Sequence, residues 1–214
     1  MAEPIVWKNV AVSIQSAIAA AKIISGITKA SPPVVTSDAH GYANGDIVFL
    51  EVLGMSQLNE KVARVANIAT DTFELEGLDS TEFDTFSSGT AQEVTLGTSI
   101  TSATTINGSG GEFDFVDTTT IHANAKSQRP GLPSAISYSM DNIWDISDAG
   151  EAAMLVASNN QSRRVIKFQF GPGGRIMYFA GYVGFTGIPT GQAQGLVTSP
   201  AVFTINVAPT YYSS

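Results

Sequence analysis

Residues 163–184, RRVIKFQFGPGGRIMYFAGYVG, constrain the fold of this chain more tightly than any other stretch. In residues 163–170, Ile166, Phe168 and Phe170 alternate with Val165, Lys167 and Gln169. That period of two puts successive side chains on opposite faces of a strand. Gly171-Pro172-Gly173-Gly174 supplies the turn, because glycine accepts positive φ and proline fixes its own. The return run, residues 175–183, is apolar on both sides: Ile176, Tyr178 and Tyr182 on one, Met177, Phe179 and Val183 on the other. A strand in a two-layer domain needs only one apolar face. This hairpin therefore predicts a second covering, by a helix or by another subunit.

One helix is legible beside it. Asp148 followed by Glu151 has the form of a capping box. Ala149, Ala152, Ala153 and Val156 fall at helical spacing, with Leu155 at the border, and predict a small face that lies close on a sheet. Asn159-Asn160 is the expected stop, since asparagine tolerates the left-handed conformation. Everything else reads as short strands and turns, so the fold class is mainly β with one short helix.

Composition narrows the function. Only 14% of the 214 residues are charged, below the usual quarter, while 43% are hydrophobic. That balance suits β-structure and large buried surfaces. The net charge of −8 argues against a protein that grips nucleic acid through its phosphates. No apolar run reaches the ~18 residues of a membrane helix and no signal-peptide pattern precedes the first strand, so no membrane insertion is expected. With no cysteine, thiol catalysis and zinc-thiolate sites are ruled out. No nucleophile elbow is present, His40 and His122 lack ligand-spaced partners, and the glycines at 108–111 lack the lysine of a phosphate loop. The expectation is a non-enzyme with no catalytic residues, cofactor or metal.

The chain changes style twice. Val10, Val12 and Ile14 alternate with Ala11, Ser13 and Gln15 as a strand, preceded by an extended arm carrying Trp7. Residues 21–93 read as a separate small all-β module, with strands near 47–52, 62–68 and 72–75, a hairpin turn at 69–71, and His40 in a structural turn. From residue 94 the first style returns. Phe113 and Phe115 oppose Glu112 and Asp114. Residues 107–111 read as a turn, 118–134 as a long polar loop, and Ile136, Tyr138 and Met140 as one strand face. Phe203, Ile205 and Val207 mark the last strand.

Residues 1–20 with 94–214 resemble a siphophage major tail tube protein. The resemblance rests on WKNVAVSIQSA, GEFDFVDTTTIH, PGLPSAISYSMDNIWD, the strand-helix-hairpin core and the closing TSPAVFTINVAPTYYS. The segments PPVVTSDAHGYANGD and GMSQLNEKVARVANIATDTFELEG of 21–93 resemble a small β-module that recurs in phage tail proteins. The order and spacing of these segments carry the match, which spans nearly the whole chain. It implies a discontinuous β-sandwich domain (1–20 and 94–214) with an inserted module (21–93). It also implies a virion subunit, assembled in the host bacterial cytoplasm, whose hexameric rings stack into a tube. Its partners would be itself, a tape measure protein, a tail terminator and tail-tip proteins, and double-stranded DNA would pass without specific binding. In that setting Glu112 and Asp114, with Gln169 and Lys167 on the hairpin, are the candidates for facing the lumen. Trp7, Lys126 and Arg129 are the candidates for contacts between rings. The alternative from another class is a β-sandwich binding module of a phage particle, as a capsid decoration or a receptor- or glycan-binding tail domain.

Overall fold

The computed structural model describes residues 9–145 and 147–213, and Trp7 lies outside them. In chain order the strands are β1 (Val10–Ile14), β2 (Ala17–Ile18), β3 (Lys22–Ile24), β4 (Gly26–Ile27), β5 (Val34–Thr36), β6 (Ile47–Leu53), β7 (Val62–Ala66), β8 (Thr72–Leu75), β9 (Ser88–Thr95), β10 (Thr98–Ile100), β11 (Ala103–Ser109), β12 (Phe113–Asp117), β13 (Gln128–Pro133), β14 (Ile136–Ile143), β15 (Arg163–Phe170), β16 (Ile176–Phe185), β17 (Thr198–Ile205) and β18 (Thr210–Tyr212). One helix, α1 (Ala149–Asn159), separates β14 from β15. The fold is mainly β, as the sequence predicts.

The main sheet runs β10-β1-β15-β16-β17-β14-β11, with β18 also paired to β16, and its ladders are antiparallel. Alternation along each strand gathers Val12, Ile14, Ile166, Phe168, Met177, Phe179, Met140, Phe203 and Ile205 into one core. The sheet curls over this core, since Tyr138 of β14 stacks on Phe179 at 5.3 Å and meets Phe168 of β15 edge-on at 5.7 Å. The hairpin and its two apolar faces are as expected. Val207 falls beyond β17, and the last strand is β18, which is too short to declare itself by periodicity.

Helix α1 starts as its cap predicts: the Asp148 carboxylate accepts from the Glu151 amide at 2.9 Å and from the Thr101 hydroxyl at 3.0 Å. Its buried face differs from the expected one. Gly150, Glu151, Met154 and Ala157 face inward, whereas Ala152, Leu155 and Val156 are exposed. The face is turned by one residue, roughly 100°. Gly150 decides this, because a β-carbon there would stand 2.8 Å from the Ser99 carbonyl oxygen and 2.9 Å from the Ile100 α-carbon. The helix approaches β10 most closely where there is no side chain. The left-handed residue after the helix is Gln161 (φ 48°), while Asn160 stays right-handed (φ −84°).

A second sheet, β2-β9-β6-β7-β8-β5-β4 with β3 on β9, encloses its own core of Val35, Val48, Leu50, Met55, Leu58, Val65, Phe73 and Leu75. His40 belongs to this core. Its Nε2 donates to the Ala69 carbonyl at 3.0 Å, its Nδ1 accepts from the Tyr42 amide at 3.0 Å, and its ring packs against Phe73. Tyr42 donates its hydroxyl to the Ala91 carbonyl, and burial, with Glu93 and Asp46 nearby, pushes its pKa up to about 12.

The second covering of the hairpin comes from this sheet of the same chain, whereas α1 packs on the core side through Met154 and Ala157. Strand β6 is apolar on both faces too. Its Ile47 and Phe49, with Val62 and Val94, pack on Val165, Ile176, Tyr178, Ala180 and Tyr212 in a third cluster shared by both sheets. Polar contacts fasten the junction. Thr210 Oγ1 donates to the Val62 carbonyl at 2.8 Å, and the Arg64 amide donates to Tyr212 Oη at 3.0 Å. The Arg64 guanidinium lies over the Tyr212 ring and pairs with Glu76. Arg163 pairs with Glu60 at 3.2 Å, between the rings of Phe49 and Tyr182.

Residues 118–134, expected as a loop, contain β13. Pro130 and Pro133 mask it in sequence, and they are tolerated because β13 pairs with β12 alone and leaves its other edge free. Residues 107–109, expected in a turn, are strand, and the bend falls on Gly110 and Gly111 at φ 88° and 81°. A β-carbon at Gly110 would come within 2.2 Å of the Ala135 carbonyl oxygen. The β11–β14 ladder therefore bends there and continues outward as a two-stranded arm, β12–β13.

Candidate assembly surfaces

The first surface is the side of β17, β14 and β11 that faces away from the core. Register aligns it in rungs: Thr204 with Ser137 and Ser109, Val202 with Ser139 and Asn107, and Pro200 with Asp141 and Thr105. All are exposed apart from Ser137, which is half-buried. The alternate residues of the same strands fill the core, so the period of two dictates this face. Hydroxyl and amide groups dominate it, with one acid and no lysine or arginine. The second sheet covers the outer side of β15 and β16 and leaves these three strands open.

The second surface is the arm. Every residue of β12 is exposed, and Phe113 (54%), Phe115 (64%), Val116, Ile121 and Leu132 (85%) present large apolar side chains to solvent. Contiguous exposed apolar groups of this kind mark contact sites. Phe113 pairs with Pro133 and Phe115 with Pro130, so Asp114 sits at a bulge opposite Gly131 and Leu132. A bulge re-aims the side chains beside it. Hydrogen bonds from the Thr119 hydroxyl and amide hold the Asp117 carboxyl below its usual range.

The third is a cleft of about 210 Å³ at the junction of the two sheets, lined by Arg163, Arg164, Gln15, Gln161, Phe49 and Tyr182 among others. Arg163 lies against Glu60 and the two rings, while its Nε and Nη1 make no hydrogen bond among the described residues. Arg164 has no acidic partner among the described residues, and its Nη1 reaches only the Arg163 carbonyl at 3.4 Å.

The expected site residues fall in two places. Lys167 and Gln169 are half-buried on the outer side of β15, in register with Ser13 and Ala11 and with Tyr178 and Ile176. Glu112, Asp114, Lys126 and Arg129 are exposed on or beside the arm. The structure thus splits the expected lumen set between two sheets, and its acids share the arm with the expected inter-ring residues Lys126 and Arg129. Phe113 and Phe115, read as the face opposite Glu112 and Asp114, are exposed along with them, because the arm has left the core behind. The open rungs and the Arg164 cleft escaped the sequence reading. Alternation in Pro200–Thr204 marks an outward face, but only the topology tells which outward faces stay uncovered.

Among the described residues no group of three or more histidines, cysteines or acids stands close enough to hold a metal, and no helix is long and apolar enough to cross a membrane. The family described as "Phage tail tube protein, TTP" matches residues 53–214. No curated protein matches the chain.

Proposed function

Since this chain belongs to the phage tail tube protein family, and is thereby a structural component of a virion tail, we propose that it is the major tail tube subunit of a siphophage, forming hexameric rings that stack around a channel for DNA delivery. In this reading 1–20 and 94–214 build the tube and 21–93 is an inserted module. Subunits assemble in the host bacterial cytoplasm, alongside a tape measure protein, a tail terminator and tail-tip proteins.

The observation that carries the channel is the open face of β17, β14 and β11. DNA must slide through a tube without being held. Each lysine or arginine that meets a phosphate adds a salt-dependent attraction, and several together become tight binding. A ring repeats every inward side chain around its axis, so even one base per subunit would accumulate. The rungs through Ser139, Ser137 and Asp141 carry none. We accordingly assign the lumen to this face, in preference to Glu112 and Asp114 on the arm or Lys167 and Gln169 beside the second sheet. The arm supports assembly, because its exposed phenylalanines find no cover among the described residues.

The test is Ser139→Lys in the middle rung, with Thr81→Lys in the exposed loop between β8 and β9 as a control. Tails should assemble in both, with DNA ejection slowed in a salt-sensitive way only for Ser139→Lys. Normal ejection across salt concentrations would remove this face from the lumen.

A further inference from the structure

The arm and the cleft have complementary chemistry. On β12, the sequence Phe113-Asp114-Phe115 sets a carboxylate at a bulge between two exposed rings, with Glu112 beside it. Neither acid has a side-chain partner among the described residues. The cleft offers the reverse: the cationic Arg164, with no acid of its own, beside the rings of Tyr182 and Phe49 and the exposed Ile18. Amides of Gln15 and Gln161 line it as further donors, although Gln15 Oε1 is already taken by the Val165 amide at 3.0 Å. One acid, Glu51, also lines it, and the exposed Arg129 and Lys126 of the arm are bases available to face it. A cavity of about 210 Å³ accommodates an inserted side chain and excludes a folded domain.

We propose that the Phe113–Phe115 segment of one copy docks in the Arg164 cleft of a second copy, Asp114 meeting the guanidinium and the phenylalanines covering Ile18 and Tyr182. The occupant is a second copy because the chain's own arm springs from β11 and β14, strands separated from β15 by β16 and β17. An interface of this kind pairs a buried charge with aromatic anchors, the residues that dominate binding energy. It also couples the inserted module to assembly, since Phe49, which closes the cleft, belongs to the second sheet. This inference rests on the self-assembly proposed above.

The absence of cysteine allows a clean test in the full chain. Glu112→Cys, beside the docking segment but outside its charge pair, and Gln161→Cys are made as separate variants, mixed under assembly conditions and oxidised. A disulfide-linked heterodimer is expected, at least about tenfold above that from Glu112→Cys mixed with Glu82→Cys at a remote loop, since only docked groups share an effective concentration that high. Charge reversal checks the pairing: Arg164→Glu and Asp114→Arg should each lower tube yield, and mixing the two variants should restore it. Tubes that form without the cross-link, or cross-linking equal to the control, would overturn the docking and leave the tube reading intact. A protein that neither assembles nor cross-links would overturn both.

Discussion

Met154 and Val156 stand two positions apart on α1 and have opposite fates. Met154 is fully buried in the main core, whereas Val156 is 52% exposed. Met154→Ala should therefore cost about 2–5 kcal/mol, the range for truncating a buried long side chain. Val156→Ser should change the stability of the isolated chain by less than about 0.5 kcal/mol. Chemical denaturation of the two variants separates them, and equal losses would contradict the observed helix face. The sequence pattern misassigned that face because three alanines suggested a stripe, while Gly150 gave no hydrophobic signal at all. A residue without a side chain was the one that sets the approach. The second residue-scale expectation concerns Glu76. Hydrogen bonds from Arg64 hold its carboxyl below the usual value of 4.5. Its contribution to stability is thus complete above that value and is lost as pH falls through the lowered pKa. Thermal melts of wild type and Glu76→Gln should converge as pH falls through the lowered carboxyl pKa, and a gap that does not shrink on acidification would contradict the pairing.

At the scale of elements, the β15–β16 hairpin was readable because alternation is a local property. Eight consecutive residues are enough to establish it, and GPGG closes it. What covers its second face was not readable, since the partner strand β6 lies more than a hundred positions away and its own two-faced pattern admits several mates. The same holds for β13 and β18. Two prolines hide the first, and three residues are too few for a period in the second. Glu112, Asp114, Lys126 and Arg129 were readable as exposed; the half-buried state of Lys167 and Gln169 and the separation of the two groups onto different sheets were not, because pairing order is a tertiary fact. The shared cluster has a direct consequence. Deleting residues 24–90 with a short linker uncovers Val165, Ile176, Tyr178, Ala180 and Tyr212 at once. The truncated chain should aggregate or bind a hydrophobic dye, with a lowered melting temperature. A soluble, cooperatively melting product would mean that the module is a decoration.

For the whole molecule, three features divide the labour. The curled main sheet supplies a packed core, the second sheet covers the outer side of its hairpin, and the arm projects apolar groups that no other described residue covers. Both ends of the main sheet, β10 and β11, are edge strands within the described chain. Open edges invite pairing with another copy, and a closed ring removes them. The low charge content fits a chain that buries much of its surface against copies of itself. Electron cryo-microscopy of the purified protein under assembly conditions tests this arrangement most directly. It should resolve a tube of stacked hexameric rings, with Thr105, Ser139 and Thr204 lining the channel. A persistent monomer, or a tube whose channel is lined by Lys167 or by the arm while the β17–β14–β11 face points outward, would contradict it.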